Sequence, residues 1–141
     1  MDRFEEILKT LSPLIGAPLH PDSRGACKLN IRNLLHVQLE FNPKEETILL
    51  ATFLKEIPPG KFRENILKDA LRANWPYPKN GTLCYCSENN QLTLFTYVSI
   101  IQLTAPHLFE ILNAFIAKAE SWKIVADTGN TATLIPPVKI V

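Results

Sequence analysis

Between Pro58 and Pro78 the chain reads PPGKFRENILKDALRANWPYP, a stretch that sets one helix in the middle of strand-forming sequence. Phe62, Ile66, Leu67, Ala70 and Leu71 recur at the spacing of one helical face. Lys61, Arg63, Glu64, Lys68 and Arg72 populate the opposite side, with Glu64 one turn ahead of Lys68. Pro58, Pro59 and Gly60 announce the start. Pro76 and Pro78 stop the element, because proline has no N–H to continue the helical ladder. A helix of about four turns therefore divides the sheet-forming chain into two parts. The aromatic pair Trp75 and Tyr77 closes it and is expected at a contact surface.

The flanking sequence changes period. At the N-terminus Asp2 can cap a helix, with Glu5 at the reciprocal position of a capping box, and Phe4, Ile7, Leu8 and Leu11 form its apolar face. Pro13 is expected to bend or end this helix, and Gly16 to stop it. Residues 17–25 read as a loop. From Ala26 the period is two: Cys27, Leu29 and Ile31 alternate with Lys28, Asn30 and Arg32, which predicts an edge strand with one wet side. Leu35, Val37, Leu39 and Phe41 predict a second half-buried strand, and NPKEE a hairpin turn into a third. That third strand, TILLATFL at 47–54, and the later LTLFTYVSII at 92–101 are apolar on both sides, so both are expected to be covered on both faces. A short strand at 82–87 and a turn at 88–91 lie between helix and fifth strand. Thr104 then caps a last helix carrying Leu108, Ile111, Leu112, Phe115, Ile116, Ala119 and Trp122. The order helix, three strands, helix, two strands, helix predicts a single α+β domain with an antiparallel sheet packed by helices. Residues 1–122 form that domain. Residues 123–141 are a C-terminal tail, whose VKIV could add an edge strand.

Several functions are disfavoured by the same residues. Fifteen basic side chains against fourteen acidic leave a net charge of +1, so no basic surface signals nucleic acid. No apolar run approaches the roughly 20 residues of a membrane span, and MDRFEEIL has acids where a signal peptide has a basic region, which predicts a cytoplasmic protein without membrane insertion. Three cysteines, an odd number without framework spacing, read as free thiols. Cys84 and Cys86 share one side of a strand and read as small buried apolar residues rather than metal ligands. His20, His36 and His107 have no neighbouring nucleophile or acid in sequence, and the carboxylates Glu5, Glu6, Glu45, Glu46, Glu64 and Asp69 read as solvated faces. No glycine-rich phosphate loop is present. The expectation is a non-enzyme with no catalytic residue, no metal and no cofactor. With 46% of residues hydrophobic, three amphipathic helices and two-sided strands offer more apolar face than a small monomer needs, which leaves two readings open, a protein partner or simply a full core.

The pattern over residues 3–122 resembles the class I chaperones of bacterial type III secretion, the Tir-chaperone family. The resemblance rests on the first helix ending near LIGAPL, HPD and a glycine before the strand at Cys27–Ile31, the alternation HVQLEF, and the passage FLKEIPPG. Its most telling piece is ILKDALRAN, similar to the family's leucine-leucine-x-alanine-asparagine signature, here Ala70, Leu71, Ala73 and Asn74. The resemblance implies a bacterial cytoplasmic homodimer without cofactor that binds the N-terminal region of secreted effector proteins, holds it extended and presents it for export, with the secretion-apparatus ATPase as a further partner. It implies a dimer interface at Phe62, Leu67, Leu71, Trp75 and Tyr85, and cargo-binding patches at Leu11, Ile15, Leu29, Ile31 and Leu34. The alternative is a dimeric adaptor of the same fold that docks a folded protein partner through the Trp75 and Tyr77 region. Two features depart from the family's pattern: the near-neutral charge, where members are commonly acidic, and the longer tail.

Overall fold

The computed structural model of the chain describes residues 2–128. Short polar turns between alternating strands produce a five-stranded antiparallel sheet in the order β1-β2-β3-β5-β4, with β1 at Ala26–Ile31, β2 at Leu35–Asn42, β3 at Thr47–Glu56, β4 at Thr82–Cys86 and β5 at Gln91–Ser99. The helices are α1 at Arg3–Ile15, α2 at Lys61–Ala73 and α3 at Ala105–Thr128. The expected α+β class and element order are those observed. Because α2 is inserted after β3, the chain returns at the far margin as β4, and β5 fills the place beside β3.

Asp2 accepts from the Glu5 N–H at 2.7 Å and so caps α1. Pro13 does not end this helix. The chain continues to Ile15 and stops at Gly16, whose φ of 80° is the left-handed conformation that a helix C-terminus favours. The Ser12 hydroxyl bonds back to Leu8 O and accepts from Leu19 N, which ties the following loop to the last turn. The core lies on one face of the sheet. Leu29, Val37, Leu39, Ile48, Leu50 and Leu94 meet Phe4, Leu8 and Leu11 of α1 and Leu108, Leu112, Phe115 and Trp122 of α3. Phe4 stacks on Phe41 at 5.4 Å. α2 lies along β4 and contributes Ile66 and Ala70.

Two expectations are corrected. β3 and β5 are central strands, but they are not covered on both faces: Leu49, Ala51 and Phe95 are only half-buried, and Phe53 and Tyr97 are exposed. Among the described residues, three helices on one side satisfy the core and no second layer covers the other face. The last helix also runs past Trp122 to Thr128, where Ala126 is buried, Lys55 bonds Asp127 at 2.6 Å and Lys123 donates to Leu54 O at 3.0 Å. The expected VKIV strand lies outside the described residues.

Candidate functional site

A backbone edge is available for pairing only where its N–H and C=O groups point away from the sheet and nothing else takes them. At β4 both outward groups of Leu83 are taken by one side chain: Asn74 Nδ2 donates to Leu83 O at 2.9 Å, and Leu83 N donates to Asn74 Oδ1 at 3.0 Å. Asn74 follows the last turn of α2, so the end of that helix closes the β4 edge. At β1 the outward groups of Ala26 are taken by Asp22, whose N–H donates to Ala26 O at 2.7 Å and whose Oδ1 accepts from Ala26 N at 3.0 Å. Hydrogen bonds from Ala26 N and then Arg24 N hold the Asp22 carboxyl below its ordinary value. Strand alternation points the N–H and C=O of Lys28 and Asn30 the same way as those of Ala26. Among the described residues nothing pairs with them.

Beside this open stretch lies a groove of about 550 Å³ between the end of α1, β1 and α3, lined by Ile15, Pro18, Leu29, Ile31, Phe109 and Ile116 among others. Of the five residues expected to bind cargo, Ile15 and Ile31 are half-buried in its walls, and Leu29 forms part of its floor at 3% exposure. Leu11 is fully buried in the core. Leu34 is 57% exposed in the β1–β2 turn, outside the groove. The α3 contribution, Phe109 and Ile116, was not legible as a site in sequence. Its only signal is that the apolar stripe of α3 is wider than the buried row Leu108, Leu112, Phe115 and Ala119 requires. An ion pair between Arg32, which lines the groove, and Glu120 ties the β1–β2 turn to α3.

The second apolar feature is the outer side of α2 and the segment after it. Leu71, Trp75 and Tyr77 are exposed at 69%, 63% and 72%, and Phe62 at 39%. Leu67 is half-buried. Tyr85 on β4 is also half-buried, with the Arg63 guanidinium 5.0 Å from its ring centre and its hydroxyl donating to Asn90. All five residues expected at the dimer interface therefore fall on or beside α2 and β4. Behind them a cleft of about 440 Å³ holds Lys118, whose Nζ donates to Lys79 O and Gly81 O at 2.6 and 2.7 Å. Burial lowers the pKa of this ammonium.

Groups for acid–base or metal chemistry do not converge. His20, His36 and His107 are exposed on the loop before β1, on β2 and on α3. Burial pushes the Cys27 and Cys84 thiols up, away from the reactive thiolate. Cys84 and Cys86 are half-buried rather than core residues. Among the described residues no three His, Cys, Asp or Glu are grouped to hold a metal, and no helix is long and apolar enough to cross a membrane.

A model of the Tir chaperone protein (CesT) family matches residues 6–123. The chain belongs to this family. The match spans every element from α1 to α3, so groove, capped edges and α2 surface all lie within the family's domain. No curated protein matches the sequence significantly. Solved structures share the fold at low identity. A chain of the HopA1-SchA chaperone-effector complex is 20% identical with a TM-score of 0.70 over 86% of this chain and 94% of that one. A chain of the ExsC-ExsE complex is 20% identical with a TM-score of 0.68 over 89% and 97%. In the complex of the Yersinia pestis type III secretion chaperone SycH with a stable fragment of YscM2, the matching chain is 14% identical with a TM-score of 0.64 over 84% and 98%.

Proposed function

We propose that this CesT-family protein is a type III secretion chaperone that binds a segment of a secreted effector in extended form, along the open edge at Lys28 and Asn30, with side chains in the adjoining groove. The observation that carries this reading is the coincidence of the one unpaired stretch of β1 with an apolar groove. Four backbone groups at about 0.5–1.5 kcal/mol each cannot hold a segment whose ordering costs about 1–2 kcal/mol per residue. Each large apolar side chain buried in the groove adds about 1.5–3 kcal/mol, which makes the combination sufficient. Strand addition supplies orientation and the groove supplies affinity. Complexes of the structural neighbours with an effector, HopA1, and with ExsE support the reading.

The working form is a homodimer joined through Phe62, Leu67, Leu71, Trp75 and Tyr85, since an exposed aromatic and leucine surface on one helix is what a two-fold contact would cover. Two grooves per dimer would let one effector chain engage both, raising its retention by effective concentration. The protein acts in the bacterial cytoplasm, without catalysis, and hands cargo to the secretion-apparatus ATPase.

The test is Lys28→Pro, which removes one outward N–H from an edge strand where proline is tolerated. Binding of an effector's N-terminal segment, measured by calorimetry, is expected to weaken about two- to tenfold, the value of one such bond, with the fold intact by circular dichroism. Unchanged affinity would place cargo elsewhere. A second reading, a dimeric adaptor for a folded partner, draws on the exposure of Trp75 and Tyr77. In that case Trp75→Ala abolishes partner binding while sedimentation still shows a dimer.

A further inference from the structure

The cleft behind the α2 surface takes no part in the β1 groove, and its wall is rich in donors and short of negative charge. It holds about 440 Å³ between the end of α2 and α3, where Ala73, Ala114 and Ala117 leave the room that larger side chains would fill. Ala114, Lys118 and Trp122 follow one another at one-turn spacing along α3, so they share a side of that helix. Two lysines, Lys79 and Lys118, line the cleft, and among the described residues no aspartate or glutamate does. Neither ammonium has an ion-pair partner among the described residues.

Lys118 carries three N–H donors and spends two of them, on Lys79 O and Gly81 O at 2.6 and 2.7 Å. Those carbonyls fix the ammonium between α3 and the segment before β4. Burial alone lowers its pKa, the mark of a charge taken from water with no opposite charge beside it. Trp122 is only 2% exposed, yet its indole N–H has no hydrogen-bond partner among the described residues. A buried indole donor ordinarily has one. The Ser121 hydroxyl, by contrast, already donates to Ala117 O. The spare N–H of Lys118 and the indole of Trp122, on adjacent turns of one helix side, therefore call for an acceptor that carries negative charge. Two fixed donors match the two oxygens of a carboxylate rather than the three of a phosphate. The surroundings indicate what brings it. Ala73 and Lys79 stand on opposite sides of the cleft, and the segment that joins them carries Tyr77, 72% exposed and outside the residues assigned to the dimer contact. A chain lying on that ring passes the cleft, whose alanine methyls suit the methylenes of an acidic side chain.

We propose that this cleft receives an aspartate or glutamate side chain of a polypeptide partner that lies over Tyr77, its carboxylate accepting from Lys118 Nζ and Trp122 Nε1. The proposal does not depend on the effector-binding reading of the β1 groove.

The test is heteronuclear NMR of the full chain, in which Trp75→Phe identifies the indole signal of Trp122. Four probes are titrated: a blocked tripeptide with glutamate between two leucines, its glutamine counterpart, butyrate and inorganic phosphate. The glutamate peptide is expected to shift the Trp122 indole and Lys118 ammonium signals saturably. The glutamine peptide is expected to bind about tenfold or more weakly, as is the glutamate peptide to Lys118→Met, since a charge-assisted hydrogen bond is lost. Butyrate, the bare side chain without apolar flanks, is expected to saturate about tenfold or more weakly than the glutamate peptide. Should Lys118→Met not fold by circular dichroism, the two peptides on the native chain decide. Equal binding of the glutamine peptide, a shift undiminished in Lys118→Met, or no saturable shift overturns the proposal. Tighter binding of butyrate or phosphate than of the glutamate peptide overturns it too, by making the occupant a small anion. So does a Trp122 signal that moves on dilution of the free protein, which would give the cleft to a second copy.

Discussion

Asn74 makes a side-chain amide stand in for the neighbouring strand that β4 lacks. Its carbonyl oxygen and amide nitrogen reproduce the donor and acceptor pattern of a peptide group, and asparagine is the shortest side chain that carries both. Asn74→Ala is expected to cost about 1–3 kcal/mol by leaving the Leu83 groups unpaired, read as a lower Tm together with faster exchange of the Leu83 amide. Asp22 does the same for β1 with a carboxylate and its own N–H, and this makes the closure sensitive to pH. Its folded pKa lies below the unfolded value of 3.8. The contribution is therefore complete above that value and is lost as pH falls through the folded pKa. Exchange protection of the Ala26 and Arg24 amides is expected to disappear in that acid window, and at neutral pH in Asp22→Ala. Gly81 is constrained differently. At φ 127° a Cβ would sit 2.9 Å from Leu94 and 3.3 Å from Phe115, so Gly81→Ala combines backbone strain with overpacking. A loss of about 2–4 kcal/mol in denaturant unfolding is expected.

At the scale of elements, α2 has two faces with separate duties. Ile66 and Ala70 belong to the core, whereas Leu71, one residue on, is 69% exposed. Sequence periodicity counts both in one apolar face, because a stripe identifies apolar positions without saying what covers them. The distinction has a measurable consequence. Leu71→Asp is expected to give a folded monomer whose Tm falls only by the lost subunit contact and no longer depends on protein concentration, because no charge is buried within the protomer; a dimer persisting in sedimentation would remove α2 from the interface. Phe115→Ala in α3, fully buried, is expected to lose about 3–5 kcal/mol.

Among the described residues the whole is a two-layer arrangement, with all three helices on one sheet face and none on the other. That asymmetry leaves the apolar positions of β3 and β5 half-covered, contrary to the two-sided burial that TILLATFL and LTLFTYVSII suggest. It also explains how a chain with so balanced a charge can be a binding protein: the surfaces it offers are apolar and backbone, not ionic. If effector segments do occupy the β1 groove, their affinity is expected to change by less than about threefold between low and high salt, since few charge pairs are available to screen. Titration calorimetry at the two salt levels checks this.

Alternation of period two, helical stripes and proline breaks were sufficient to establish the element order, the edge position of β1 and the capping role of Asp2, because each is a local consequence of neighbouring residues. Tertiary structure alone decided which apolar residues remain accessible. Leu11 and Ile15 lie a turn apart on α1, yet one is fully buried in the core and the other lines a groove. Asp22 closes its end of β1 from four residues away and Asn74 closes β4 from nine, but only the tertiary structure shows that, among the described residues, no element packs on the outward groups of Lys28 and Asn30. Burial and edge pairing depend on what packs from far along the chain, and no local pattern carries that information.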